Sequence, residues 1–245
     1  MRFAAALAAL FAIGLSAPAA AQTYVYEVMV EEWVETTSSR FVSPALAEAE
    51  SHAVAAYGPF RVLGNGRAAL VGVTDFHSPR QFAAMLAAYP GIDTLEFVEC
   101  PGTYDDRANL ALGRMIRVAG IAAVVPEGGS VRSGAVELFL AGAERSISDG
   151  AEFAVHAWLD DRGMGAHDYA ADSPEHAKYL AYYREMGMAA DEAARFYAMT
   201  NSVPFEDALW LTGEEMRDWV GLERPVPAQQ ELPRLAYLDL EAGLN

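Results

Sequence analysis

The chain is 245 residues long, 53% apolar, and carries 34 acidic against 17 basic side chains, a formal charge of −17. That apolar share predicts a packed core rather than a disordered chain, and the acid excess repels nucleic-acid phosphates and anionic lipid, so no nucleic-acid or membrane-surface partner is expected. Cys100 is the single cysteine, which excludes an intrachain disulfide, and the five histidines show no metal-ligand spacing, so neither metal nor organic cofactor is expected.

Residues 1–21 read as a secretory signal: Arg2 gives a positive start, Ala4 to Leu15 an apolar core, and Ala19-Ala20-Ala21 a small-residue cleavage site before Gln22. An uncleaved anchor is the alternative, although the apolar run is short for a membrane span. A periplasmic or secreted location follows as an expectation. Residues 22–66 form an N-terminal strand–helix extension. Tyr24 to Val30 alternates as a strand does, and Ser43-Pro44 opens a helix running to Gly58. Phe60 to Leu63, the turn Gly64-Asn65-Gly66 and Ala68 to Val73 make a hairpin.

The main domain spans residues 67–222 and is built of βα units. Ser78-Pro79 opens a helix to Tyr89, Thr94 to Val98 is a strand, and Asp105-Asp106 opens the next helix. In that helix Leu112, Met115, Ile116 and Ala119 share one predicted buried face. Ile121 to Val125 is an apolar strand, followed by a glycine turn, Ser133, an apolar helical run to Ala141, and a strand delivering His156. Such alternation predicts a largely parallel α/β sheet. Beyond His156, Leu159 to Asp172 reads as a hairpin or loop. Helices follow from Ser173-Pro174 and from about Asp191 to Met199, and a capping box sits at Thr212 to Glu215. Residues 223–245 are a tail containing Pro225, Pro227 and Pro233.

Ser133 is either a helix-capping serine or a nucleophile placed beside unpaired backbone N–H groups. His156 is either a hydrogen-bonded core histidine or the base that takes the serine proton. Ser130 is a rival serine. Glu137, four residues after Ser133, is solvated, paired with Arg132 or Arg145, or part of a polar pocket. Cys100 reads as a small buried hydrophobe or as a reactive thiol.

Ser133-Gly134-Ala135-Val136-Glu137-Leu138-Phe139-Leu140-Ala141-Gly142, then a strand ending in His156, resembles the Clp-protease proteolytic subunit and its crotonase-fold relatives, closest to an exported bacterial branch. Phe97 to Thr103, with Cys100-Pro101-Gly102, resembles that family's upstream Pro-Gly loop. The resemblance implies a spiral of ββα units, with Ser133 as nucleophile, His156 as base, and the backbone N–H groups of Thr103 and Gly134 as oxyanion donors. It places the third catalytic residue near Asn201, with Asp207 as runner-up and a plain turn role for Asn201 as the alternative. Two departures stand out: Thr103 occupies the position of the family's second glycine, and Glu137 that of an apolar residue. The implied activity is that of an exported, peptidase-like serine hydrolase acting on a peptide or small acyl substrate. The alternative is a catalytically degenerate relative serving as a periplasmic binding or assembly module. A homo-oligomer assembled through the aromatic-rich segment 179–197 is a further expectation.

Overall fold

A computed structural model of the chain describes residues 43–223. The expected signal sequence at 1–21, the expected strand at 24–30 and residues 224–245 of the proline-containing tail lie outside the described residues. Helix α1 (Pro44–His52) is capped by the Ser43 hydroxyl, which accepts from Leu46 N–H at 3.1 Å. It is followed by β1 (Ala55–Tyr57), β2 (Phe60–Gly64) and β3 (Arg67–Leu70), an antiparallel run. The helix expected to reach Gly58 therefore stops six residues early. Only Ala49 of α1 is buried, so little packing holds further turns, while Ala55 to Tyr57 gain a ladder against Phe60 to Val62. The helix propensity of alanine is too small to outweigh that pairing.

From β3 onward the chain winds. β3 pairs in parallel with β4 (Thr94–Phe97), β4 with β6 (Ala122–Val125), and β6 with β8 (Arg145–Ile147). Each of the last three strands is followed closely by a second strand in another sheet: β5 (Glu99–Cys100), β7 (Ser130–Arg132) and β9 (Glu152–Val155), themselves parallel. Helices α3 (Asp106–Val118) and α4 (Ala135–Leu140) close two such turns, and α2 (Ser78–Ala88) precedes them. This is a mixed α/β architecture, a spiral of ββα units, established by strand order and register. The expected strand at 94–98 is β4, and Val98 hinges it to the unexpected β5: its N–H donates to Leu70 of one sheet and its carbonyl accepts from Ser130 of the other. β10 (Leu209–Thr212) adds an antiparallel edge to β9, an element absent from the periodicity reading.

Phe97, Phe139 and Phe153 form the hinge of the core. They bring one residue each from β4, α4 and β9 into edge-to-face contact at 5.9 and 5.5 Å, all fully buried. The buried face of α3 is rotated from the expected one. Asn109, Leu112, Gly113 and Ile116 are inside, while Met115 is half-buried and Ala119 exposed. A methyl on Gly113 would sit 1.9 Å from the Tyr182 hydroxyl, so that glycine is where α5 (Pro174–Glu185) meets α3. α6 (Ala190–Thr200) packs on α5, and α7 (Gly213–Val220), opened by the Thr212 capping box, closes the domain. Tyr179, Tyr182, Tyr183 and Phe196 are all buried within the chain, and Tyr197 is half-buried.

Candidate active site

Ser133 lies between β7 and α4, with φ of 48°; it and Asn65 are the non-glycine residues with positive φ among those described. A left-handed conformation costs a serine about 1–3 kcal/mol and persists only where the surroundings impose it. They do so here from both sides. Ser133 N–H donates to Ala154 of β9 at 2.8 Å, and its carbonyl accepts from Val136 N–H in α4 at 2.9 Å. The serine therefore does not cap the helix. Gly134 holds the cap position with no side-chain cap bond, and the Ser133 hydroxyl stands at a sharp strand-to-helix elbow. Two close approaches leave room only for glycine. A methyl on Gly102 would fall 2.9 Å from the Ser133 Cβ, and one on Gly134 would fall 2.5 Å from a Thr103 methyl carbon.

His156 follows β9. Arg132 of β7 is paired with Ala154 of β9, so continuing the parallel register sets Ser133 beside Val155 and His156 one step further along. Adjacent strands lie about 4.8 Å apart, which brings the serine and histidine to the same ends of neighbouring strands. Both line one cavity of about 840 Å³. The His156 Nδ1 is 2.9 Å from the Ala157 carbonyl, so Nδ1 is the donor, and in the neutral ring this leaves the lone pair on Nε2, the tautomer a base needs. Phe205 packs edge-on against the ring at 4.9 Å.

The Pro-Gly loop supplies an amide. Gly102, with φ of 129°, is the left-handed residue, and Thr103 is not among the positive-φ residues, so the β-branch of Thr103 meets no conformational obstacle. The Gly102 carbonyl accepts from Thr74 N–H at 3.0 Å. In a trans peptide the following N–H points the opposite way, here away from Thr74 and toward the edge that β5 shares with β7. Neither Thr103 N–H nor Gly134 N–H has a hydrogen-bond acceptor among the described residues.

These two amide-bearing segments are tied together by side chains that sequence reasoning overlooked. Thr74 is fully buried. Its hydroxyl donates to Asn109 Oδ1 at 3.0 Å, and its carbonyl accepts from Tyr104 N–H at 2.9 Å and from the Thr103 hydroxyl at 3.2 Å. Asn109 Nδ2 then donates to the Gly134 carbonyl at 2.6 Å. Two polar residues inside otherwise apolar stretches were the available signal, because a buried amide demands partners.

Asn201 terminates α6 and lines the same cavity. Its Nδ2 donates to the Tyr197 carbonyl at 2.8 Å, while its Oδ1 is buried without a donor. Asp207 is exposed and does not line the cavity. Ser130 is held inside β7 by Glu152 and Arg132, its hydroxyl engaged at 2.8 and 2.6 Å. Cys100 is fully buried, its thiol bonded to the Leu70 carbonyl at 3.3 Å and its pKa pushed up mainly by burial. It is a core residue.

The opposite wall is aromatic and acidic. Glu137 is 8% exposed and is paired with neither Arg132, which binds Glu99, nor Arg145. Its Oε1 accepts from the Tyr183 hydroxyl at 2.7 Å, and burial raises its pKa to about 7. The Tyr179 hydroxyl donates to Asp106. Trp158 Nε1 donates to the Tyr197 hydroxyl, which meets His176 Nδ1, each at 2.7 Å. Lys178, the one lysine in the sequence, lies over the Trp158 and Tyr179 rings at 5.3 and 5.2 Å and pairs with Glu175 at 2.6 Å.

No protein-family model matches the chain, and no curated protein matches it. Among solved structures the chain is similar to a membrane-bound stomatin-specific protease, 1510-N. A lysine-to-alanine mutant of it in complex with a substrate peptide is 18% identical with a TM-score of 0.42, covering 66% of this chain and 77% of that one. A serine-to-alanine mutant is 18% identical with a TM-score of 0.45, covering 67% and 80%. At those values the likeness says nothing about chemistry, and the ββα spiral stands on its own strand order.

Proposed function

We propose that the chain is an exported serine hydrolase of peptidase type. The observation that carries the reading is Ser133 in a left-handed strand-to-helix elbow, on one cavity with His156 and flanked by two amides without acceptors. In this mechanism the Ser133 Oγ attacks the acyl carbonyl while His156 Nε2 takes its proton. The carbonyl oxygen becomes an oxyanion held by the Thr103 and Gly134 N–H groups. His156 returns the proton to the leaving amine or alcohol, leaving an acyl-serine. Water, deprotonated by the same nitrogen, then releases the acid and restores the serine. The Ala157 carbonyl holds the tautomer, and Asn201, which lines the same cavity with its Oδ1 enclosed and unpartnered, is the proposed third residue.

The periplasm or the exterior is the proposed location, on the strength of the Arg2 to Ala21 segment. A fluorophosphonate probe tests the chemistry. It should label the wild type and fail on Ser133→Ala, with His156→Ala labelled far more slowly. A wild-type protein that stays unlabelled beside a labelled control would leave the degenerate binding module as the surviving reading.

A further inference from the structure

We infer that Glu137 is a specificity-determining residue that recognises a cationic side chain, of the lysine or arginine kind, in the substrate. The inference rests on the serine-hydrolase reading for its substrate being a peptide, but the recognition it describes is measurable without catalysis.

Glu137 sits in the first turn of α4, directly after the elbow. Side chains in a helix lean back toward its N-terminus, so this carboxyl leans toward Ser133, and both residues line the same cavity. It is more than nine-tenths buried, yet no cation lies within salt-bridge distance of it among the described residues. Tyr183 satisfies Oε1 alone. Oε2 accepts no hydrogen bond from another side chain, and Glu137 is one of the residues that line the cavity. A buried carboxylate lining a cavity without a counter-charge is costly unless a ligand supplies the charge.

The surroundings suit an organic cation. Tyr179 and Tyr183 flank the carboxyl, and Trp158 and Tyr197 extend the aromatic wall, whose faces attract ammonium and guanidinium groups. Lys178, lying over Trp158 and Tyr179, shows within the chain that this wall accepts a cation. Asp106 adds negative charge from α3 and, with burial, helps push the Glu137 pKa upward when no cation is bound. A bound cation works against that shift by favouring the ionised form.

Benzamidine and its neutral analogue benzamide, titrated calorimetrically into the full-length wild-type protein, test this. Benzamidine should bind at least tenfold more tightly, and Glu137→Gln should bring the two affinities within about twofold of each other. Tyr183→Phe, which keeps the carboxylate, should preserve the preference and guards against an outcome caused by misfolding at position 137. Equal affinities in the wild type, no binding of either compound, or an unchanged ratio in Glu137→Gln would each overturn the inference. Fluorophosphonate labelling is scored separately. Labelling without a cation preference sinks only the subsite, whereas cation preference without labelling sinks only the hydrolase.

Discussion

The two walls of the cavity are made in different ways. The serine wall is backbone: an elbow at the end of β7, a loop at the end of β5, and a strand end at β9, all fixed by parallel ladders a few residues long. The facing wall is side chains from α4, α5, α6 and the segment after β9 that meet across large sequence separations. Tyr183 reaches Glu137 over 46 residues, and Trp158 reaches Tyr197 over 39. Backbone placed by ladders can hold reacting groups to fractions of an ångström. A wall of long side chains from separate helices can vary without moving them. Reaction chemistry on the first wall and substrate choice on the second is the division this construction favours.

The largest effect should come from the serine wall. Ser133→Ala should lower kcat on an activated ester by about 10⁴-fold or more, with little change in thermal midpoint, since removing a triad-type nucleophile leaves only binding and the oxyanion donors. Retention of more than a tenth of the activity would place the nucleophile elsewhere. Gly134→Ala should follow. Its methyl would lie 2.5 Å from Thr103, so one amide donor must move, and losing one such donor costs about 10²- to 10³-fold in kcat. Steady-state kinetics with a matched thermal scan separates that loss from unfolding.

The contrast also explains what the sequence made legible. The elbow is local: a glycine turn, a serine, a glycine and an apolar helix, then a strand ending in histidine. Local pattern makes Ser133 a cap or a nucleophile and His156 a core residue or a base, and only the family resemblance singles them out together with Gly134. The hairpin at 60–70 and the capping box at Thr212 were legible from local pattern. Val98 was not, because whether a strand continues or changes sheets depends on which partners flank it, and Leu70 and Ser130 are distant in sequence. The environment of Glu137 was equally invisible. Nothing within a turn of it announces Tyr183, and the same carboxylate on a solvated face would have an identical local sequence.

The acidic wall should show itself in pH dependence. Glu137 has its pKa raised from 4.5 to about 7 by burial, so the folded protein holds a proton there that the unfolded chain has released. Between those two values the native state binds more protons, and stability falls as pH rises. The penalty is absent below about pH 4.5 and complete above about pH 7, at most about 3 kcal/mol at roughly 1.4 kcal/mol per unit. Glu137→Gln should remove that slope, so urea midpoints of wild type and variant should diverge as pH rises from 5 to 7.5. Parallel curves would mean that the carboxyl is already compensated.

The smallest effect separates positioning from mere packing on the serine wall. Thr74 contacts no substrate-facing atom, but it fixes the Gly102 carbonyl and, through Asn109, the Gly134 carbonyl. Thr74→Val keeps the shape and removes the hydroxyl, leaving Asn109 Oδ1 without its donor. That should cost about 1–3 kcal/mol of stability and, if the amides drift, about tenfold in kcat with KM unchanged. Thr74→Ser restores the donor and should recover kcat even where it fails to recover full stability, because it lacks the buried methyl. A purely structural threonine predicts the reverse pattern, with kcat indifferent to both variants and only the thermal midpoint responding. The ratio of kcat between the valine and serine variants, read beside their midpoints, therefore decides whether the buried Thr74–Asn109 pair sets the geometry of the oxyanion donors or only fills space beneath them.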